Sequence, residues 1–335
     1  MKKTIICSLA IILLIKNEGV NAQVDPHFSQ YYSYPLWLNP AMAGVMEGDY
    51  RVTAVYRKQW GNVMTPFSTA GVSADFTTNK NLNFGISMMN QTAGDGGYRY
   101  LNAYGTIAYS GMKWGPDKTK QVVFGIQAGL LSRRFDPGKF QFGDQWNTVT
   151  GYDPNLPTAD FLSKTSASVL DLGAGVTYQD ATSDQKANFY AGFSAFHLTQ
   201  PEDPFITTGT GKQVLPVRYA VNAGVRIRMT DVMSIVPNVL YMRQGNAQEK
   251  MLGIFGQFDV NDFTSLFFGG SYRLDDAFSP YVGFSYGTMR LGMSYDVNTS
   301  ELGKIAKETN SLEISLTWTG RRSGKPLRYL SCPRF

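Results

Sequence analysis

Cysteine is almost absent from this chain: Cys7 and Cys332 are the only two. Cys7 falls in a leader-like start, where Lys2 and Lys3 precede an apolar run from Ile5 to Ile15, and Val20, Asn21 and Ala22 form a Val-x-Ala cleavage site. A run of about 11 residues is short of the roughly 20 that a membrane helix needs. A cleaved export signal over residues 1–22 is therefore expected in preference to an uncleaved helical anchor, with the mature chain beginning near Gln23. Cys332 is then the single thiol, which excludes an internal disulfide. An exported protein without disulfides needs a large core, a metal or a membrane to hold it. Histidine is as scarce, with only His27 and His197, which argues against a His/Cys metal site.

A second apolar run of membrane-helix length is missing too, although 43% of residues are hydrophobic, so membrane association would have to be of another kind. Strong charge of one sign is also lacking. The formal +5 falls to about +3 once Lys2, Lys3, Lys16 and Glu18 leave with the signal, too little to argue for nucleic acid.

What the chain does have is glycine and aromatics, with Gly 34, Tyr 19 and Phe 21 and hardly any helical periodicity. That composition reads as many strands joined by tight corners. Alternating segments fall at about 51–60, 65–78, 82–94, 99–114, 120–135, 166–180, 188–201, 218–230, 232–245, 248–260, 263–274, 277–287, 288–297 and 310–320. The total of fourteen is even, as in bacterial outer-membrane barrels. The connections after even-numbered segments are short. The three longest, 136–165, 202–217 and 298–309, all follow odd-numbered ones, as short periplasmic turns and long external loops require. The expected architecture is all-β: one transmembrane antiparallel barrel over 51–320, a non-strand segment over 23–50 in the lumen or periplasm, and a periplasmic tail over 321–335.

Residues 218–230, "RYAVNAGVRIRMT", show what the alternation does. Tyr219, Val221, Ala223, Val225, Ile227 and Met229 share one face, and Arg218, Arg226 and Arg228 the other. An arginine on the lipid face near the midplane costs about 2–4 kcal/mol, so these arginines are assigned to the lumen. Arg290 on a later strand joins them, and Asp171, Asp296 and Glu313 are the carboxylates expected to pair with the arginines. A structural lumen network is the plain reading and an ion or substrate filter the sharper one.

Two stretches do not read as strands. Residues 24–50 contain "DPHFSQYYSYPLWLNPAMAG", aromatic and broken by Pro26, Pro35 and Pro40, and so able to plug the lumen, line the periplasmic mouth or dock on a partner. Residues 320–335 end in "CPRF" after Arg321, Arg322, Lys325 and Arg328. Candidate partner contacts are Phe28, Tyr31, Trp37, Asn39 and Pro40 in the first stretch. In the long loop they are Phe140, Phe142, Asp144, Trp146 and Tyr152, and at the end Cys332, Pro333, Arg334 and Phe335.

Together "DPHFSQYYSYPLWLNPAMAG", "YRKQW" at 56–60, "FQFGDQ" at 140–145, "SYDVNTSEL" at 294–302 and the terminal "CPRF" resemble the PorP/SprF family of the type IX secretion system. The resemblance runs from about Asp25 to Phe335, with Lys58 where asparagine is expected. It implies an integral outer-membrane, non-enzymatic component of machinery that exports proteins with C-terminal sorting domains and supports gliding motility in some relatives. Implied partners are outer-membrane lipid, the secreted protein (in some cases a large adhesin) and periplasmic ring or peptidoglycan-linked subunits. Neither a nucleic acid nor a cofactor is implied.

Other classes are weighed against it. A fourteen-stranded barrel is wide enough for a passive, porin-like diffusion channel unless something fills it. His197 in "SAFHLTQ" raises an outer-membrane hydrolase, but a histidine at the interface needs no catalysis, and His27 is expected to share no site with it. "GDGG" at 94–97 precedes no helix and makes no phosphate cradle. Asp144, Asp153 and Asp160 lack the spacing of a calcium loop and read as solvated. Cys332 reads as an unmodified thiol lodged against the barrel or a partner.

Overall fold

In a computed structural model, described over residues 25–61, 65–78, 80–94, 97–115, 118–158, 165–183, 185–202, 214–300 and 309–321, the chain forms a closed antiparallel barrel. Its fourteen strands are β1 (Tyr50–Gln59), β2 (Phe67–Thr77), β3 (Leu82–Ala93), β4 (Tyr98–Trp114), β5 (Lys120–Arg134), β8 (Ser166–Asp180), β9 (Ala187–Phe196), β10 (Arg218–Arg228), β11 (Met233–Gln244), β12 (Ala247–Asn261), β13 (Thr264–Arg273), β14 (Ala277–Tyr286), β15 (Met289–Asn298) and β16 (Ser311–Gly320). Two short strands, β6 (Trp146–Asn147) and β7 (Gly151–Tyr152), form a hairpin in the connection between β5 and β8. The leader, Asn79, Asp160 and the "CPRF" end lie outside the described residues.

Each barrel strand pairs with its chain neighbours, and β16 closes on β1 in the register Tyr50↔Gly320 to Gln59↔Ser311. Closure leaves no edge strand, which is how a barrel meets the need of its backbone groups for partners where no water reaches. Alternation decides the faces. Ile86, Ile126 and Leu170 are 66%, 62% and 59% exposed on the outside, where lipid replaces water. Thr53, Ser73, Gln127, Asn222 and Ser279 are buried on the inside.

The connections sort by side. The connections after β2, β4, β8, β10, β12 and β14 are short and leave from the side where β1 begins and β16 ends, which is then periplasmic. Gly287 takes φ 58° in the two-residue turn before β15, as that tight hairpin requires. The long connections after β5, β9 and β15 start from the opposite, external side. One boundary differs from expectation by more than two residues: β9 ends at Phe196 rather than near 201, because His197 takes φ 57° and turns the backbone out of the ladder.

Residues 25–49 run inside the barrel. They form three single turns, at Tyr31–Ser33, Pro35–Leu38 and Pro40–Met42. Pro35 and Pro40 stand at first helical positions, where a missing N–H costs nothing, and the Asn39 side chain accepts the Ala41 N–H. Of the placements open to this segment, the lumen is the one taken. Asp25 sits beside Gln244 at the external end of β11, and Asp49 donates to the Gly320 carbonyl at the periplasmic end of β16. From Asp25 the segment thus descends through the lumen, from its external end to β1.

Candidate functional site: the plugged lumen and the external loop

Three groups of charges fasten this plug, and the first is built around Arg57 of β1, which is fully buried. Its Nη1 donates to Ser29 Oγ (2.6 Å) and Glu313 Oε2 (3.0 Å), and its Nη2 to Asp296 Oδ2 (2.7 Å). Arg273 Nη2 also donates to Asp296 Oδ2 (3.0 Å). The same carboxylates hold the plug: Ser29 N and Gln30 N each donate to Glu313 at 2.8 Å, and Ser29 Oγ donates to Asp296 Oδ2 at 2.7 Å. Charges removed from water are tolerated only when paired and hydrogen-bonded, and here pairing and docking are the same set of bonds.

The second group surrounds His197. Its Nε2 lies 2.7 Å from Asp25 Oδ2 and its Nδ1 2.7 Å from Asp171 Oδ2, so both ring nitrogens donate and the ring is an imidazolium. Tyr100 and Tyr104 donate to the same two carboxylates. Burial by itself pulls the His197 pKa down. The facing Asp25 and Asp171 carboxylates outweigh it and raise the value from 6.5 to about 9. Arg218 lies 3.5 Å from Asp25 Oδ2, donates to the Trp37 carbonyl (2.9 Å) and is held between the Trp37 and Phe196 rings. His197 is thus a buried clasp rather than an interfacial residue, and with both nitrogens engaged it has none free to act as a base. His27 belongs to the first group, with Nε2 3.3 Å from Arg57.

The third group closes the periplasmic end. Arg51 grips Asp75 through Nε and Nη2, both at 2.9 Å, and donates to the Val45 and Met42 carbonyls. Gly44 N donates to Asp75 Oδ2 (2.7 Å), and Asn83 Nδ2 to the Ala43 carbonyl (3.1 Å).

Mid-strand glycines make room for the plug. A Cβ on Gly71 would come within 2.7 Å of the Tyr34 ring and one on Gly85 within 2.8 Å of Leu36. On Gly125 and Gly175 it would strike the Pro40–Ala41 backbone and the Asn39 side chain. Asn39 Nδ2 donates there to the Val176 and Phe193 carbonyls. These glycines, expected as corners, instead let the plug press close on the wall, with side chains at Gly71, Gly85 and Gly175 and with backbone at Gly125. Two voids against the plug measure about 10 and 20 Å³, on the order of a single water.

The lumen candidates therefore separate. Asp171, Asp296, Glu313 and Arg218 are buried in the plug contacts. The carboxylates take Arg57, Arg273 and His197 as partners instead of the arginines of 218–230. Arg226 and Arg290 lie half-buried on the inward face, Arg290 over the Phe267 ring at 4.3 Å. Arg228 is exposed at the periplasmic rim and donates to the Ser183 carbonyl (2.6 Å). Sequence reasoning missed Arg51, Arg57, Asp75 and Arg273. Arg51 and Arg57 share the inward parity of Thr53, so the parity argument used for 218–230 would have found them.

Of the partner-contact candidates, Phe28, Tyr31, Trp37, Asn39 and Pro40 are buried in the lumen and present no side chain outward, a correction that follows from the plug's packing. Phe28 meets Tyr34 and Trp37 edge to face. The external loop differs. Phe140 and Phe142 stack, and Trp146 and Tyr152 face each other across the β6–β7 hairpin. Trp146 is 56% and Val149, at the hairpin tip, 89% exposed, and Asp144 is exposed beside them. Asp153 accepts from Asn155 N and closes a local turn. Cys332, Pro333, Arg334 and Phe335 lie outside the described residues.

Three of the five stretches that carry the family resemblance meet in space: Arg57 of "YRKQW" and Asp296 of "SYDVNTSEL" bind Ser29 of the N-terminal segment. A family model described as "Type IX secretion system membrane protein PorP/SprF" matches residues 20–318. The chain belongs to the PorP/SprF family. It is an outer-membrane component of the type IX secretion system.

No curated protein matches this PorP/SprF member. Among solved structures, the toluene transporter TodX of Pseudomonas putida is 9% identical, with TM-score 0.49, over 89% of this chain and 95% of that one. The toluene transporter TbuX of Ralstonia pickettii is 11% identical, with TM-score 0.47, over 84% and 91%. A FadL homologue of Pseudomonas aeruginosa is 11% identical, with TM-score 0.46, over 84% and 92%. At such identities nothing about transported molecules carries over to this chain.

Proposed function

We propose that this PorP/SprF protein is a non-enzymatic scaffold for export and surface attachment of proteins with C-terminal sorting domains, gliding adhesins among them. The external loop over 135–165 receives the exported protein. The periplasmic face, with the 321–335 tail, contacts ring or peptidoglycan-linked subunits. The observation that carries this reading is the filled lumen: residues 25–49 are fastened to the wall at both ends by buried charges. A barrel so filled acts through its two faces. The aromatic surface at Trp146 and Val149 is the kind that partners cover.

The test replaces residues 136–165 by a short turn. Surface display of the cognate protein is expected to be lost while the folded barrel keeps its heat-modifiable gel mobility; normal display would overturn the reading. Single-channel recording separates it from the porin-like alternative, since a scaffold shows no steady conductance and a diffusion channel does.

A further inference from the structure

On one arc of the wall the outward face turns from apolar to polar toward the external side. Across β3, β4, β5 and β8 the register aligns Met88, Ala103, Leu130 and Leu170, all exposed and apolar. Four residues further toward the external side it aligns Thr92, Arg99, Arg134 and Ser166. Arg99 and Arg134 thus stand directly opposite each other on neighbouring strands. Their neighbours Tyr100 and Arg133 are buried inside, so alternation turns both arginines outward. Arg99 Nε donates to Asn90 Oδ1 (2.6 Å), which leaves its two Nη groups unengaged among the described residues. Arg134 is exposed and meets no carboxylate among the described residues. Lys139 passes Gly97, its Cδ 3.1 Å from where a Cβ would lie there, and brings a third cation to this rim. Like charges directly opposite on paired strands destabilise a sheet, and an anion between them relieves the pair.

Depth in the membrane identifies the anion. Trp114 and Tyr178 stack on the outside near the periplasmic end, and Tyr178 pairs with Val122. Arg134 lies twelve residues beyond Val122 on β5, about 40 Å along a strand and about 30 Å along the membrane normal at the usual tilt. The apolar band of such barrels is about 25 Å tall, so the arginine pair stands just beyond the hydrocarbon, at the level of lipid headgroups. We infer that Arg99 and Arg134 together bind one phosphate of an outer-leaflet glycolipid, with Lys139 at its edge and Thr92 and Ser166 flanking the headgroup. Guanidinium forks suit this role because each presents parallel donors to phosphate oxygens. The lipid is then seated at the root of the long external loop, where Phe135 follows Arg134 and packs on Tyr98 at 5.1 Å between ring centres.

The test adds bisphosphorylated lipid A, or the same lipid stripped of its phosphates, to the purified full-length barrel in neutral detergent and counts adducts by native mass spectrometry. Lipid A is expected to bind about tenfold more weakly after Arg99→Gln or Arg134→Gln, because charge-assisted hydrogen bonds are lost, and more weakly still to the double variant. The stripped lipid should bind the wild type no better than lipid A binds the double variant. Lys58→Gln, outward on the same rim but three strands from Arg99, should bind as the wild type does. Lipid A should also raise the thermal midpoint of the wild type and leave that of the double variant unchanged. If a glutamine variant does not assemble, the comparison of the two lipids on the wild type decides. Equal binding of the two lipids, undiminished binding by the double variant, an equal loss in Lys58→Gln, or displacement of lipid A by equimolar inorganic phosphate, which would assign the pair to a free anion, would each overturn the inference.

Discussion

The two aromatic regions of this protein have similar composition and opposite fates. Residues 28–37 hold Phe28, Tyr31, Tyr34 and Trp37, all buried, and Phe28 meets Tyr34 and Trp37 edge to face. The external loop holds Phe140, Phe142, Trp146 and Tyr152, which pack mostly on one another and leave Trp146 largely in water. The difference lies in what each can reach. The first region is flanked by backbone N–H groups and an aspartate that meet complementary charges on the wall, whereas the second sits beyond the barrel rim. Aromatic content alone therefore does not mark a binding surface; an unmet aromatic surface does.

Breaking the plug's anchors should cost most. Arg57→Ala leaves Asp296 and Glu313 buried without their main partner, and removing one side of a buried pair costs about 3–5 kcal/mol. The temperature at which the barrel loses its folded gel mobility should fall sharply, or assembly should fail. A midpoint unchanged from wild type would show that the plug is not fastened there. Next comes Gly125→Leu, which drives a side chain into the Pro40–Ala41 backbone. Overpacking of this kind costs about 1–3 kcal/mol, and the signature is a lowered midpoint together with proteolytic cleavage inside residues 25–49.

The His197 clasp gives a smaller and pH-dependent effect. Its folded pKa of about 9 lies above the unfolded 6.5. The stabilisation is therefore fully present below about pH 6.5 and is lost as pH rises through about 9. The wild-type midpoint should decline between pH 6.5 and 9.5, and His197→Gln should flatten that decline; parallel slopes would remove the clasp from the account. Least affected is the loop. Trp146→Ser should change stability by under about 0.5 kcal/mol, as exposed substitutions do, while lowering surface display of exported protein. A stability loss of plug size would make the loop structural and erase the contrast between the two regions.

Much of the wall was legible in advance, because inside and outside of a barrel impose a two-residue period that survives in single strands such as Leu312–Trp318. The plug was not legible. Three prolines abolish periodicity over residues 26–40, and the groups that hold it are distant in sequence: Arg57 and Asp296 are 239 positions apart. Alternation carries the strand on toward 201 and so puts His197 at the interface, because a positive φ at a non-glycine residue leaves no trace in the pattern. Glycines pointed toward corners when several mark the track where the plug presses on the wall.

The sequence by itself determined the strand count, the faces, the side on which long loops emerge and, through its motifs, the family. These follow from interactions between chain neighbours and from the contrast between lipid and lumen. Only the tertiary structure decided that the N-terminal segment fills the barrel, which carboxylate meets which cation, and which aromatics are left for a partner. Those choices depend on which side chains closure of β16 on β1 brings together, and no local pattern encodes distances across the lumen.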